Sequence, residues 1–347
     1  MLTSHVNGHF DDDVPDSKLE PQPQPQAQHK HQPLNQELEH SPQHQPQIIS
    51  RLLSTLRSNS HSNSKHATTT AFLCDPYTVF FPTSEADRGW DCGYRNCQTL
   101  FSHLISSAET KDHLRMNSVP SILQLQQILE NAWNSGWDVQ GAIQLNHCVL
   151  NSKIWIGTTE IAAILRFLGV HCDIIDFHKP TDSGGSHPRL LEWVWDYFSS
   201  SFSTSAPSST STSTSASTST STSTQPSTQF MSNFQKTGII STQLSPLYFQ
   251  HQGHSRIIVG IERTKAGATN LLLFDPSCNL DSYIPFVSAN ASVPVPPSKI
   301  LSKFRVGLPG LKRTQYQIVR IVHGTVGWVP GSLEERQAKV FVGVRIP

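Results

Sequence analysis

The run Arg88-Gly89-Trp90-Asp91-Cys92-Gly93-Tyr94-Arg95-Asn96 sets a cysteine at the point where helical spacing begins. From Cys92 to Ser106, apolar or small residues recur at positions 97, 100, 101, 104 and 105, which predicts a helix opening at Cys92. A helix start offers unpaired N–H groups and partial positive charge. Both favour a thiolate, the form in which cysteine is a nucleophile. The same N–H groups can receive the oxyanion of a tetrahedral intermediate. Gly89 and Gly93 let backbone approach closely. Taken alone, the run equally fits a buried structural cysteine ahead of a helix.

Two further runs bring a base and an acid. Gln250-His251-Gln252-Gly253-His254-Ser255-Arg256 leads directly into an apolar strand, Arg256 to Ile261. Asp275-Pro276 follows the next one, Asn270 to Phe274. The segment between them, Arg263 to Thr269, is polar and holds a glycine, so the strands form a hairpin with its turn between Arg263 and Gly267. An antiparallel hairpin sets the start of its first strand beside the end of its second. His254 and Asp275 then share one end of a sheet. Alone, His254 also reads as a strand-edge histidine, and Asp275 as a turn residue before proline. A cysteine at a helix start followed by His and Asp on adjacent strands is the papain-type order. The carboxylate orients the imidazole, which takes the thiol proton and returns it to the leaving amine.

The elements that must position these residues read as α+β, with helices first and strands mostly later. Further helices are expected at Pro120–Trp133, with proline at its start, at Thr158–Gly169, capped by Thr158 or Thr159, and at Leu190–Phe198. Strands are expected at Val170–Phe177, Pro246–Gln250, Thr314–Val322 and Val340–Val344. Residues 1–70 are rich in Gln, Pro, His and Ser, too poor in apolar surface to offset the entropy of ordering, and read as a disordered tail. Within it, Ile48–Leu56 is an amphipathic island, either a transient helix or one that docks on a partner. Residues 71–347 read as one domain, interrupted by a disordered Ser/Thr insertion at 199–229.

The formal net charge is zero and no basic stripe is visible, which argues against nucleic acid and anionic membranes as partners. No run approaches the ~18 apolar residues of a membrane span, and no signal peptide precedes the domain, so a cytosolic or nuclear monomer is expected. The six cysteines form no CxxC pair, and the tail histidines lack fixed spacing. No cofactor, metal site or disulfide framework is expected.

The run GWDCGYRNCQTL, Gly89 to Leu100, resembles the nucleophile signature GWGCGYRN-x-Q of the ZUFSP and UFM-type peptidases. WNSGWDVQGAIQLN (133–146), WIGTTEIAAILRFLGVHCDIIDF (155–177), LYFQHQGHSRIIVGIE (247–262), LLLFDPS (271–277), TQYQIV and ERQAKVF are similar to the ZUFSP branch in particular. The resemblance implies a papain-like fold, a triad of Cys92, His254 and Asp275, and cleavage of ubiquitin or a ubiquitin chain. Proteases of the ubiquitin-fold modifier carry Asp-Pro-His, whereas Ser277 stands in that histidine's place here, which favours ubiquitin. Asp91 replaces a glycine common before the nucleophile, and a carboxylate there opposes the thiolate unless it is paired, Arg88 being one candidate. The zinc-finger runs of larger members are not seen. Gln98 or backbone N–H groups are the candidate oxyanion donors. Trp90 fits the roof of a Gly-Gly channel or a core position. Glu160 fits a contact to substrate arginine or, more simply, a helix-start carboxylate.

Overall fold

Short, nearly continuous apolar runs, most of them in the second half of the chain, build a sheet, and amphipathic helices, most of them from the first half, pack on it. The computed structural model describes residues 48–203, 238–278, 295–326 and 343–346, all within the unit Gln45–Pro347. In chain order these are α1 (Ile48–Ser60), β1 (Thr68–Leu73), α2 (Cys92–Leu104), α3 (Ala108–Leu114), α4 (Ile122–Asn134), α5 (Val139–Gln144) and α6 (Thr158–Phe167). Then come β2 (Val170–Phe177), α7 (Pro188–Ser203), β3 (Ile239–Ser241), β4 (Leu247–His251), β5 (His254–Thr264) and β6 (Thr269–Phe274). α8 (Pro297–Leu301), β7 (Arg305–Gly307), β8 (Tyr316–Val326) and β9 (Val344–Arg345) complete the described set. The class is α+β, as expected, around a mixed sheet.

β5 is the axis of that sheet. β6 runs antiparallel along one edge, from Ile257↔Phe274 to Arg263↔Thr269. β4 pairs with the first half of β5, and β1 with the second half, beyond an irregularity near Gly260. β8 continues the sheet from β4, and β2 from β8, all antiparallel. The short strands β3 and β9 add parallel partners to β1 and β2. Helix α2 lies on β5 and β4 and buries Cys97, Leu100, Phe101 and Leu104. Its start therefore sits over the strand that carries His254.

Several expected boundaries shift, two by a residue or two and two by more than a turn. The folded region begins before residue 71. Ile48, Ile49, Leu52 and Leu56 form one stripe of α1 and are fully buried against β1, β3 and α8. Arg57 donates through Nε and Nη2 to the Ile239 carbonyl at 3.3 and 3.1 Å, and Asn59 donates to the Thr68 hydroxyl at 3.1 Å. Docking on its own domain thus supplies what so short a helix lacks alone. Pro120 is not the first helical residue of α4. Ser121 caps that helix, with a reciprocal bond between Gln124 and the Ser121 N–H. α6 is capped at Gly157 rather than Thr158 or Thr159, because Glu160 Oε2 accepts the Gly157 N–H at 2.7 Å. α7 runs on through Ser203, into the start of the expected insertion. The remainder of that insertion, residues 1–47 and most of the 340–344 strand lie outside the described residues.

Candidate active site

Three local structures converge at one end of the sheet. α2 opens at Cys92, with Asp91 at its N-cap. β4 and β5 meet in a two-residue hairpin, His251↔His254, across Gln252 and Gly253. Gly253 has φ of +82°, the left-handed backbone such tight turns need, and it sets His254 at the first position of β5. Asp275 follows the last residue of β6, so the β5–β6 hairpin places it beside the start of β5. The first turn of α2 is pressed against the segment Ile154–Gly157. A Cβ at Gly93 would lie 2.5 Å from the Ile156 carbonyl oxygen, so only glycine fits there.

His254 Nε2 and Asp275 Oδ1 are 2.9 Å apart. The Cys92 thiol lies close enough to the imidazole for each to shift the other's protonation, while Nε2 is engaged by Asp275. Asp275 is held from further sides. Arg256 Nε donates to Oδ2 at 2.9 Å, and the Ser277 N–H donates to Oδ1 at 3.0 Å. Burial favours a neutral Asp275, yet the His254 and Arg256 cations and the Ser277 N–H outweigh it and hold the carboxyl below its ordinary range. Burial would likewise lower His254, but its bonds to Asp275 and Cys92 dominate and raise it to about 9. Burial would raise Cys92, but hydrogen bonds to His254 and Ser255 and the imidazolium charge bring it below the ordinary thiol value. The arrangement favours a thiolate–imidazolium pair braced by a carboxylate.

Comparison with known proteins places this geometry in a lineage. The family model for peptidase family C78 matches residues 67–318. This chain belongs to peptidase family C78. Zinc finger-containing ubiquitin peptidase 1 of Rattus norvegicus is 37% identical over 267 residues, covering 77% of this chain and 40% of that protein. Ubiquitin carboxyl-terminal hydrolase mug105 of Schizosaccharomyces pombe is 30% identical over 198 residues, covering 57% of this chain and 64% of its own. The C78 chain thus spans about two fifths of the length of the zinc-finger relative. The crystal structure of UfSP from C. elegans overlaps 72% of this chain and 34% of its own, at TM-score 0.39 and 18% identity. The match begins at residue 67, so α1 lies outside the matched region.

The remaining candidates of this C78 site divide sharply. Asp91 is buried and paired, but with Arg95 at 2.9 Å and the Thr83 hydroxyl at 2.8 Å rather than with Arg88. Gln98 is already engaged. Its Oε1 accepts from Arg95 and its Nε2 donates to the Pro120 carbonyl, so it does not reach toward an oxyanion. Gln250, which spacing alone did not single out, is the cross-strand partner of Ser255, a residue that touches Cys92. Its Oε1 accepts from Tyr248 Oη at 3.2 Å, and its amide abuts the position a Gly157 side chain would take. The Gln-Gly pair between alternating runs was the available signal for this hairpin and hence for Gln250. Trp90 is half-buried and packs on the core, edge-on to Tyr94 at 5.6 Å. Trp155, next to Ile156, is exposed. Glu160 caps α6 as a helix-start carboxylate. Behind it lies Asp138, fully buried, whose pKa burial and then the Glu160 charge push up to about 8. Asp138 Oδ1 accepts the Gly141 N–H at 3.2 Å, while Oδ2 and the Trp133 indole N–H are buried without a well-formed bond. Among the other cysteines, Cys74 and Cys172 are buried and pushed up to about 12 and about 11, and Cys97 is raised further by burial alone.

Proposed function

We propose that this chain is a deubiquitinating thiol protease that hydrolyses peptide and isopeptide bonds after the C-terminal glycine of ubiquitin. The observation that carries the reading is His254, which is hydrogen-bonded to Asp275 and sits beside Cys92, each shifting the other's protonation. In the proposed sequence, Cys92 Sγ attacks the glycine carbonyl as thiolate and a tetrahedral oxyanion forms. The oxyanion meets the Cys92 N–H at the start of α2, with Gln250 Nε2 as side-chain donor. The C–N bond breaks as His254 Nδ1–H gives its proton to the leaving amine, and a thioester remains. Neutral His254 then takes a proton from water, whose oxygen attacks the thioester. Collapse expels the thiolate and frees the glycine carboxyl group, which gives its proton to solvent, so the thiolate–imidazolium pair is restored. Asp275, steadied by Arg256, keeps the imidazole oriented throughout.

The substrate class rests on the names of the zinc-finger and fission-yeast relatives, which speak for ubiquitin. A protease of another ubiquitin-like modifier is the second reading. Ser277 weighs against it, since an Asp-Pro-His base would need histidine there, and Ser277 instead gives its N–H to Asp275. An inactive ubiquitin-binding module has against it the polarised Cys92. Each reading predicts a different reaction with C-terminal electrophile probes built on ubiquitin and on the ubiquitin-fold modifier. Capture of the ubiquitin probe at Cys92 is expected. Capture of only the other modifier would select the second reading, and binding without capture the third.

A further inference from the structure

The residue before the nucleophile and the residue after the acid are joined by a path that does not pass through the imidazole. Thr83 lies between them. Its hydroxyl donates to Asp91 Oδ1 at 2.8 Å, and its backbone N–H donates to the Pro276 carbonyl at 2.9 Å. Asp91 is bonded to Cys92 through the chain, and Pro276 to Asp275. The other Asp91 oxygen is held by Arg95 Nε, one turn along α2. Arg95 is itself fixed by Asp87 at 3.0 Å and by Gln98 Oε1 at 3.1 Å. The carboxylate therefore cannot rotate, and it is 1% exposed. A desolvated, charge-assisted hydrogen bond of this kind is stronger and stiffer than one in water. We propose that Thr83 and Asp91 form a positioning bracket, which fixes the start of α2 against the turn carrying Asp275.

This rests on the reading of Cys92 as nucleophile and goes beyond it. The thiolate–imidazolium contact is a poor spacer by itself, because it vanishes once Cys92 is acylated. The bracket does not change charge during the cycle. It keeps the thioester within reach of the water that His254 activates. A displacement of about 1 Å at such a site can cost about 10²-fold in rate. Loss of one bond of the bracket should cost part of that, and should act on chemistry more than on substrate binding.

The test compares Thr83→Val, which deletes the hydroxyl donor but keeps the N–H to Pro276, with Thr83→Ser, which keeps both. Three readouts are taken on the full chain: kcat and KM for a ubiquitin substrate, the rate of Cys92 alkylation against pH followed by mass spectrometry, and thermal unfolding. Thr83→Val is expected to lower kcat about tenfold with KM within about twofold, and to move the alkylation curve to higher pH. Thr83→Ser is expected to restore both. Thr83→Ala, which also lacks the hydroxyl but puts no second methyl against Asp91, is the second variant should the valine form fold poorly, and is expected to move the same curve in the same direction. A wild-type kcat and alkylation curve in folded Thr83→Val, or a loss matched by its unfolded fraction alone, overturns the bracket. Cys92→Ala is run alongside. Probe capture that survives in Cys92→Ala overturns the nucleophile reading itself, whatever Thr83→Val does.

Discussion

Cys92 is set apart from the buried thiols of this chain by what faces it. Cys97 lies one turn deeper in the same helix and is held neutral by burial, whereas Cys92 meets His254 and Ser255 and is held low. That contrast gives a pH profile. The reactive pair needs a deprotonated thiol and a protonated imidazole. Activity should rise as Cys92 loses its proton below the ordinary thiol range, and fall as pH passes His254 near about 9. In His254→Ala the alkylation curve of Cys92 should move up in pH and turnover should fall at least ~10²-fold. The stability sign follows from the same shift. His254 is raised above its unfolded value of about 6.5, so its contribution is complete below that value and fades as pH rises toward about 9. Urea melts of wild type and His254→Ala between these limits check it. Gln250→Ala should lower kcat by ~10²-fold or more if its amide serves the oxyanion, with KM little changed. An unchanged kcat would leave the oxyanion to backbone N–H groups. Cys92, His254 and Asp275 are legible in the sequence because each stands at the boundary of a strongly patterned element. Arg256 and the Ser277 N–H are not legible as partners of Asp275, because hydrogen-bond geometry across a hairpin end has no spacing signature.

At the scale of elements, the β4–β5 and β5–β6 hairpins carry the base, the acid and Gln250 on three successive strands. The hairpin between β5 and β6 follows from its polar turn. The tighter one escapes because HQGHSR draws the eye as a chemical run rather than as a turn with glycine at left-handed φ. α1 is legible as an amphipathic island, but its docking on its own domain is not. Its four buried residues are spaced as a stripe, but the surrounding Gln/Pro/His composition describes a disordered tail, and tertiary contact overrides that composition. Burying a large aliphatic side chain is worth about 1.5–3 kcal/mol. Removing residues 1–60 takes away four such side chains, together with the Arg57 bonds to Ile239, an amount comparable to a whole domain's stability. That truncation should unfold the chain or lower its melting temperature severely. Removal of residues 1–44 should leave the melting temperature near wild type. Leu52→Ala, at a fully buried position, should cost about 2–5 kcal/mol while the folded fraction still reacts with probe. Denaturant melts of the three proteins separate these outcomes, and an unaffected 1–60 deletion would mean that α1 is dispensable to the fold.

At the scale of the whole molecule, the α+β order and the papain-type sequence of Cys, His and Asp are legible before any coordinates, because helices and strands keep different apolar periods. The relation of the chain to its partners is less so. Among the described residues no helix is long and apolar enough to cross a membrane, and no cluster of His, Cys, Asp or Glu fits a metal ion. Trp155 is exposed within the segment that presses on the start of α2, next to Ile156. Trp155→Ala should therefore raise KM for a ubiquitin substrate with kcat changed less, measured by steady-state kinetics. An equal fall in kcat at constant KM would place Trp155 outside the docking face.

The most direct measurement reacts wild type and Cys92→Ala with two electrophilic probes, one built on ubiquitin and one on the ubiquitin-fold modifier, and reads the modified residue by mass spectrometry. The prediction is a single ubiquitin adduct on Cys92 of the wild-type chain, none on Cys92→Ala, and little reaction with the other probe. An adduct on Cys148 or Cys278 in place of Cys92, or preference for the ubiquitin-fold modifier, would contradict it.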